Sequence, residues 1–366
     1  MNKTPGTGAR MRVAVGMSGG IDSSVAALLL QKAGYEVFGL TMKLWPGPSA
    51  AGLAKSACFG PDEIADIQAA RDIFARLGVP FHIFDCSEDY EDIVLRYFRE
   101  EYLGGKTPNP CVRCNQLVKF GLLPEAAREA GLEFDRFATG HYARVELDPS
   151  SGRYLLKKGV DSRKDQSYFL YRLSQRQLAT ALFPLGGLMK GQVRAIALQE
   201  NFPVHAKKES QDFYSGDLND ILGQEDREGD IVDRNGTVLG KHHGVWHHTI
   251  GQRKGLGIAH PVPLYVIAID PENNRLVVGT ESETRQRSCL ARDCTWILFE
   301  TLSAPAEVQV KVRSGGRSVA ATITPLNDQR TRVAFTEAVS AVTPGQSAVF
   351  YDKDIVVGGG IIESAE

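Results

Sequence analysis

Two stretches of this 366-residue chain combine residue types and spacing that can do chemistry. The first is Ser18-Gly19-Gly20-Ile21-Asp22-Ser23, preceded by the apolar run Val13-Ala14-Val15 and followed by the helix-forming run Ser24–Leu30. A buried strand, a glycine turn and a helix start gather backbone N–H groups and a positive dipole end at one spot, which suits a phosphate. The turn is not a Walker loop, because Gly-x-x-x-x-Gly-Lys-Ser/Thr is absent and no lysine follows the glycines. The second stretch is Thr107-Pro108-Asn109-Pro110-Cys111-Val112-Arg113-Cys114-Asn115. Its prolines stiffen the approach, and Cys-x-x-Cys leads into a helix expected to begin near Gln116. A thiol at a helix N-terminus has a lowered pKa, and Arg113 is expected to act in the same direction. Taken alone, the pair suits half a zinc site, a redox couple or two structural thiols. No second Cys-x-x-Cys exists, which weakens a four-thiolate zinc reading.

The elements that must position these residues alternate between strand and helix. Val37–Lys43 reads as a second strand after the Ala33-Gly34 stop, Ile64–Leu77 as a helix and Phe81–Phe84 as a third strand. Tyr90, Ile93, Val94, Tyr97, Phe98 and Tyr102 recur at helical spacing, Gln116–Ala130 predicts another helix and Phe134–Thr139 another strand. This order implies an α/β domain whose parallel sheet takes ligands at the carboxyl ends of its strands, where Gly140 and His141 also fall. Residues 167–203 read as helical, broken by Phe183-Pro184-Leu185-Gly186-Gly187. Beyond Val204 glycine becomes dense and periodicity poor. From Pro263 onward, short alternating strands such as Tyr265–Asp270, Arg275–Gly279, Val308–Arg313 and Arg317–Ile323 predict a hairpin-built β-barrel. The expected division is a polar tail over 1–10, a nucleotide-binding catalytic domain over 11–204, a small central domain over 205–262 and a C-terminal β-barrel over 263–366.

Composition sets the outer bounds. The chain is long enough for two or three domains, and 43% hydrophobic with 23% charged residues is ordinary for a soluble protein. No apolar stretch approaches the ~20 residues that span a bilayer, and the polar start lacks a signal peptide's apolar segment, so a cytoplasmic location is expected. The formal net charge of −2 advertises no global basic face for nucleic acid. Six cysteines (Cys58, Cys86, Cys111, Cys114, Cys289 and Cys294) suggest thiol, metal or redox chemistry rather than a disulfide framework. Cys289 and Cys294 read as apolar fillers.

Ser18–Ser23 resembles the PP-loop, Ser-Gly-Gly-x-Asp-Ser, of ATP pyrophosphatases, which cleave between the α- and β-phosphates and adenylate an oxygen. Together with Gly39–Trp45, Thr107–Asn115, Ala138–Ala143, Lys164–Leu170 and Thr249–Ile258, in that order, it resembles the bacterial tRNA-specific 2-thiouridylases over nearly the whole chain. The resemblance implies a sulfurtransferase that adenylates the C2 oxygen of the tRNA wobble uridine and then replaces it with sulfur. It implies ATP on Gly16, Met17, Ser18, Gly19, Gly20, Ile21, Asp22 and Ser23, with the base near Met42 and Gly140 closing the site. Asp22 would hold Mg2+, since a hard cation bridging phosphates takes a carboxylate oxygen, while also suiting a helix cap. Asn109, Pro110 and Cys111 would meet the target base. His141, Lys164, Asp165, Gln166, Arg313, Ser314 and Gln346 would contact the tRNA, whose wobble base must turn out of its stack.

The position matching the family nucleophile is Cys114. Two residues depart from the pattern. Cys111 stands where many members carry aspartate, and alignment through Lys207, Lys208 and Ser210 puts Tyr214 where the persulfide-carrying cysteine is expected. Two arrangements remain open. Cys111 replaces the lost thiol beside Cys114, or the two bind a [4Fe–4S] cluster with a third cysteine, Cys58 first and Cys86 next. The sulfur donor is a cysteine desulfurase, a sulfur carrier or free sulfide. His242, His243, His247 and His248 read as RNA-facing or solvated rather than as a metal site, and Gln252–Gly255 offers charge suited to phosphate. Two rival readings are another PP-loop adenylating ligase and a tRNA-binding homologue that has lost thiolation.

Overall fold

β1 (Arg12–Gly16) is the central strand of the first domain, in a computed structural model that describes residues 10–47, 57–60, 63–202, 212–214, 216–326 and 329–366. The chain continues through α1 (Ile21–Lys32), β2 (Glu36–Lys43), β3 (Ala57–Phe59), α2 (Glu63–Leu77) and β4 (Phe81–Asp85). Helical stretches over 87–103 and 110–129 follow, then β5 (Arg136–Thr139), the hairpin β6 (Ala143–Leu147) and β7 (Tyr154–Lys158), and β8 (Ala181–Leu182). β1 pairs in parallel with β2 and β5, and the sheet order is β4-β2-β1-β5-β8. Side chains alternate across β1 as a doubly covered strand requires. Val13 and Val15 pack with Val25, Ala26, Ile73 and Phe74 of α1 and α2, whereas Ala14 packs with Phe120, Leu123 and Ala127 of the 110–129 stretch.

The expected parallel-sheet domain is therefore present, with its strand ends within a residue or two of the sequence reading. The helical reading of 167–203 holds in its break at Phe183–Gly187 and in the helix beyond it, and is corrected before the break. That region holds a short 3-10 turn at Ser167–Phe169, helices Gln175–Thr180 and Lys190–Gln199, and the edge strand β8. Ser174 and Gln177 form a capping box that starts a new helix, and Phe183–Gly187 ends the strand that follows.

β9 (Asp212–Tyr214) pairs with β3, placing Phe59 opposite Tyr214. In the central domain β10 (Gly229–Val232), β11 (Val238–His242), β12 (Tyr265–Asp270) and β13 (Arg275–Gly279) form a sheet in the order β11-β10-β13-β12. A boundary at 262/263 leaves β12 and β13 with the C-terminal unit, but backbone pairing joins them to β10. The C-terminal barrel consists of β14 (Arg285–Trp296), β15 (Ala306–Lys311), β16 (Val319–Pro325), β17 (Thr331–Ser340), β18 (Ser347–Asp352) and β19 (Ile355–Ala365). Its strands run β14-β17-β16-β15-β18-β19, and β19 pairs back onto β14. The β6–β7 hairpin of the first domain continues this sheet beyond β19. One apolar core accordingly contains Phe38, Leu40 and Phe137 of the first domain together with Ile297, Val349, Tyr351 and Val356 of the barrel.

Candidate nucleotide and thiol site

The turn after β1 is shaped by two glycines. Gly19 has φ +68, and a Cβ there would lie 2.4 Å from the Asp66 carbonyl oxygen of α2. A side chain is thus excluded by both backbone conformation and space. Gly20 is the N-cap of α1 and brings no capping side chain, so the first turn of the helix presents its amides to a ligand. The hydroxyls of Ser23 and Ser24 instead donate to the Gly20 carbonyl at 3.3 and 2.8 Å, and Ser18 N–H donates to Ser23 Oγ at 3.3 Å. Met17 N–H donates to the Leu40 carbonyl, fixing the start of the turn to β2. Gly140, just past β5, lies against the same helix start, since a Cβ there would be 2.6 Å from Ser23 N. Met42 occupies the neighbouring strand end. Just beyond it, the Leu44 and Trp45 amides both donate to the Glu63 carboxylate at 2.8 Å.

Asp22 is already engaged. Lys190 Nζ donates to its two oxygens at 2.7 and 2.8 Å, and Tyr142 Oη donates to Oδ1 at 2.9 Å. The Lys190 side chain is only 7% exposed, so a buried ammonium holds the loop carboxylate. Its backbone N–H donates to Asp161 Oδ2, which fixes the helix start that carries it. The loop has no lysine of its own, and one arrives from a remote helix. Lys190 is marked by no local motif, and Tyr142, though inside the Ala138–Ala143 motif, is given no role by it, so the sequence reading missed the part both play at Asp22.

The thiol segment departs from expectation in its helix start. Asn109 is the N-cap, its side chain accepting from Val112 N–H at 3.4 Å, and Pro110 takes the first helical position. The helix therefore begins at Pro110 rather than near Gln116. Cys111 lies in the first turn, where the dipole acts, and Cys114 one turn further on. From Cys114 to Leu122 the backbone is π-helical. Arg113 is held by its surroundings, its Nε donating to the Ile93 carbonyl and its guanidinium lying 4.6 Å from the Tyr97 ring centre. Cys111 and Cys114 are both half-buried. Cys114 packs against the apolar cluster of Leu44, Phe59, Cys86, Tyr90 and Val118, which Tyr214 also borders. Burial pushes the Cys86 thiol up to about 11, so it is protonated at neutral pH. Cys289 and Cys294 are likewise pushed up, to about 12 and about 11, by burial in the barrel, consistent with a packing role. The Cys58 side chain, and Lys207, Lys208 and Ser210, lie outside the described residues.

The residues expected to meet tRNA divide into inward-bonded and outward-facing groups. Asp165 accepts from the Gly159 and Ser167 amides and the Ser167 hydroxyl, and Gln166 Oε1 accepts from Tyr142 N–H. Lys164 is half-buried beside them, and Ser314 is exposed. His141 Nδ1 lies 2.7 Å from Thr139 Oγ1 with its ring between Phe120 and Phe183, and burial holds its pKa well below the ordinary value. Arg313 and Gln346 bond across domain boundaries. In the central domain, His242 bonds the Asn274 carbonyl and the Gly244 amide, His247 bonds Asp226, and His243 is exposed. Among the described residues no group of three His, Cys, Asp or Glu is arranged to hold a metal ion.

Residues 11–214 match the family described as the tRNA methyl transferase HUP domain, 217–280 the corresponding PRC-barrel domain and 286–362 an aminomethyltransferase β-barrel domain. The tRNA-specific 2-thiouridylase MnmA of Endomicrobium trichonymphae is 46% identical over 356 residues, covering 96% of this chain and 99% of that protein. This chain belongs to the tRNA-specific 2-thiouridylase family. The enzyme of the same name from Clostridioides difficile is 43% identical across 97% of this chain and 98% of its own length. That from Geobacter metallireducens is 44% identical over 98% of each. The likeness covers all three domains, and the family's PP-loop stands complete at Ser18–Ser23. No helix among the described residues is long and apolar enough to cross a membrane.

Proposed function

We propose that this protein is an ATP-dependent tRNA-uridine 2-sulfurtransferase acting on the wobble uridine. The observation that carries the reading is that the uncapped helix start after Gly20 follows the carboxyl end of β1, while Cys114 packs with Met42, Leu44 and Cys86 at the carboxyl ends of β2 and β4, in a chain that shares the family's full length. The loop amides bind the ATP phosphates. The uridine C2 oxygen attacks the α-phosphorus, the bond to the β-phosphate breaks and pyrophosphate leaves, so that a poor leaving oxygen becomes part of AMP. Sulfur then adds at C2 and AMP departs with the bonding pair.

Asp22 suits a Mg2+ ion only by sharing a carboxylate that Lys190 already neutralises: Oδ1 accepts from both Lys190 and Tyr142, and Oδ2, which accepts from Lys190 alone, keeps a lone pair for a cation. For sulfur delivery, Cys114 is the nucleophile and Cys111, one helical turn away, replaces the thiol absent at Tyr214. In the persulfide form Cys111 carries the sulfur; its outer sulfur bonds to the activated C2 as AMP leaves, Cys114 attacks Cys111 Sγ to break the S–S bond, and the Cys111–Cys114 disulfide left behind needs an external dithiol to reduce it. In the alternative route the same two thiols would be ligands of a [4Fe–4S] cluster, with Cys58, whose side chain lies outside the described residues, as the third. Such a cluster, when bound, supplies an iron that takes up sulfide without a redox step. The donor is a cysteine desulfurase, a carrier protein or sulfide itself.

Cys114→Ala is the deciding variant. Thiolation of tRNA should vanish while ATP and tRNA still bind, and retained thiolation would reject Cys114 as the essential thiol. Iron and sulfide analysis of anaerobically purified protein separates the two delivery routes: colourless, iron-free, active protein leaves the thiol pair alone.

A further inference from the structure

Thr107 and Pro108, the two residues ahead of the Asn109 cap, are gripped from outside their own domain. Gln346 Nε2 donates to the Thr107 carbonyl at 2.9 Å and the Pro108 carbonyl at 3.4 Å. Thr107 N–H donates to the Pro344 carbonyl at 2.9 Å, and its hydroxyl donates to Thr249 Oγ1 of the central domain at 3.2 Å. Arg313 closes the third side, its Nη2 donating to the Ile250 carbonyl and to Thr343 Oγ1, both at 2.8 Å. Gly345 sits at φ +91, and a Cβ there would be 2.9 Å from the Thr107 backbone, so barrel and thiol segment meet main chain to main chain. Gln346 is itself fixed, its N–H donating to Thr343 and its carbonyl accepting from Ile362. Three domains therefore converge on two residues, and the next one in sequence caps the helix bearing Cys111 and Cys114.

We propose that Gln346 is a positioning residue for the thiol segment, seating Thr107-Pro108 on the barrel so that Asn109 sets the helix start and both cysteines in place. Its amide faces inward onto two carbonyls. This role differs from the tRNA contact implied by resemblance, and Arg313 of the barrel supports it by tying the Ile250 carbonyl of the central domain to Thr343. The proposal rests on the reading of Cys114 as the sulfur-handling thiol, and the test separates the two.

Gln346→Met keeps side-chain length and removes both donations, whereas Gln346→Asn keeps the amide but shortens its reach. Four quantities are compared with the intact protein: single-turnover thiolation at saturating ATP and tRNA, tRNA affinity, iodoacetamide alkylation rates of Cys111 and Cys114 by mass spectrometry, and melting temperature. With Gln346→Met, thiolation should fall by about 10-fold or more, because small misplacements of reacting groups are costly. The alkylation rates should change, tRNA affinity should not, and Gln346→Asn should fall between. Weaker tRNA binding with unaltered alkylation and an unaltered saturated rate would make Gln346 a tRNA contact and overturn the proposal. A lowered melting temperature with unchanged rates would reduce it to a structural bond. If Gln346→Met does not fold, Gln346→Asn decides by the same outcomes. Should Cys114→Ala retain thiolation, the thiol reading fails, while the alkylation rates still report whether Gln346 positions the segment.

Discussion

Lys190 reaches Asp22 across 168 residues of sequence, and its ammonium is the positive charge that the loop's own residues lack. Lys190→Met leaves a partly buried carboxylate without its cation, a type of change that costs about 3–5 kcal/mol when both groups are fully buried. Asp22 is 30% exposed, which softens the loss. The KM for ATP in AMP formation should rise about 10-fold or more, equivalent to about 1.4 kcal/mol, with tRNA affinity unchanged and partial recovery in Lys190→Arg. An unaltered KM with only a lower melting temperature would leave the pair a purely structural one. Asp22 was legible in the sequence because the loop is contiguous. The roles of Lys190 and Tyr142 were not, because only the packing of the Lys190–Gln199 helix and of the turn between β5 and β6 brings them to the loop.

At the scale of elements, Gly140 and the thiol helix show how far local signals reach. Gly140 was legible through its motif, but the reason for glycine there is the approach of α1, which would leave 2.6 Å between an alanine Cβ and Ser23 N. Gly140→Ala should push the first turn of α1 out of place at a cost of about 1–3 kcal/mol, the range for inserting a methyl into packed structure. Urea unfolding should show that loss, and nucleotide binding should weaken with it. The helix start was misread because the prolines suggested a stiff loop, whereas Pro110 suits the first helical position and Asn109 caps it. The same Pro/Asn pair can signal turn or helix, and contacts from the barrel decide between them. The overextended helix ahead of the Phe183–Gly187 break has a similar cause: its apolar residues serve β8, the 3-10 turn and the shared core, which repeat at no single period.

At the scale of the whole molecule, the central domain is one place where acid should act, alongside His141 of the first domain. His248 is buried, its Nδ1 lacks a hydrogen-bond partner among the described residues, and burial together with the neighbouring imidazoles of His242 and His247 lowers its pKa to about 4. Asp217, Asp226, Lys241 and His243 line the same depression. The unfolded chain carries an ordinary histidine near ~6.5, so it binds more protons than the folded form between these values. The stability that neutral His248 contributes is complete above about 6.5 and is lost as pH falls toward 4. His248→Gln should flatten that part of the stability–pH curve in denaturant titrations, and an unchanged slope would remove His248 as its cause. The three-part architecture was legible from composition and turn spacing, but the pairing of β12 and β13 with β10 was not. All-β segments alternate alike whichever sheet they join, and pairing partners leave no mark on alternation.

The continuation of the barrel sheet into β6–β7 has a consequence for any attempt to isolate the catalytic half. Lys158 N–H donates to the Asp354 carbonyl, Arg144 pairs with Asp354, and Phe38 and Leu40 share a core with Val349 and Tyr351. A fragment ending before β14 would strip β7 of its neighbour and expose an unpaired strand edge beside bare apolar side chains, a template for self-association. Such a fragment should precipitate or form oligomers on expression, whereas co-expression with residues 285–366 as a separate chain should restore solubility by supplying the missing edge in trans.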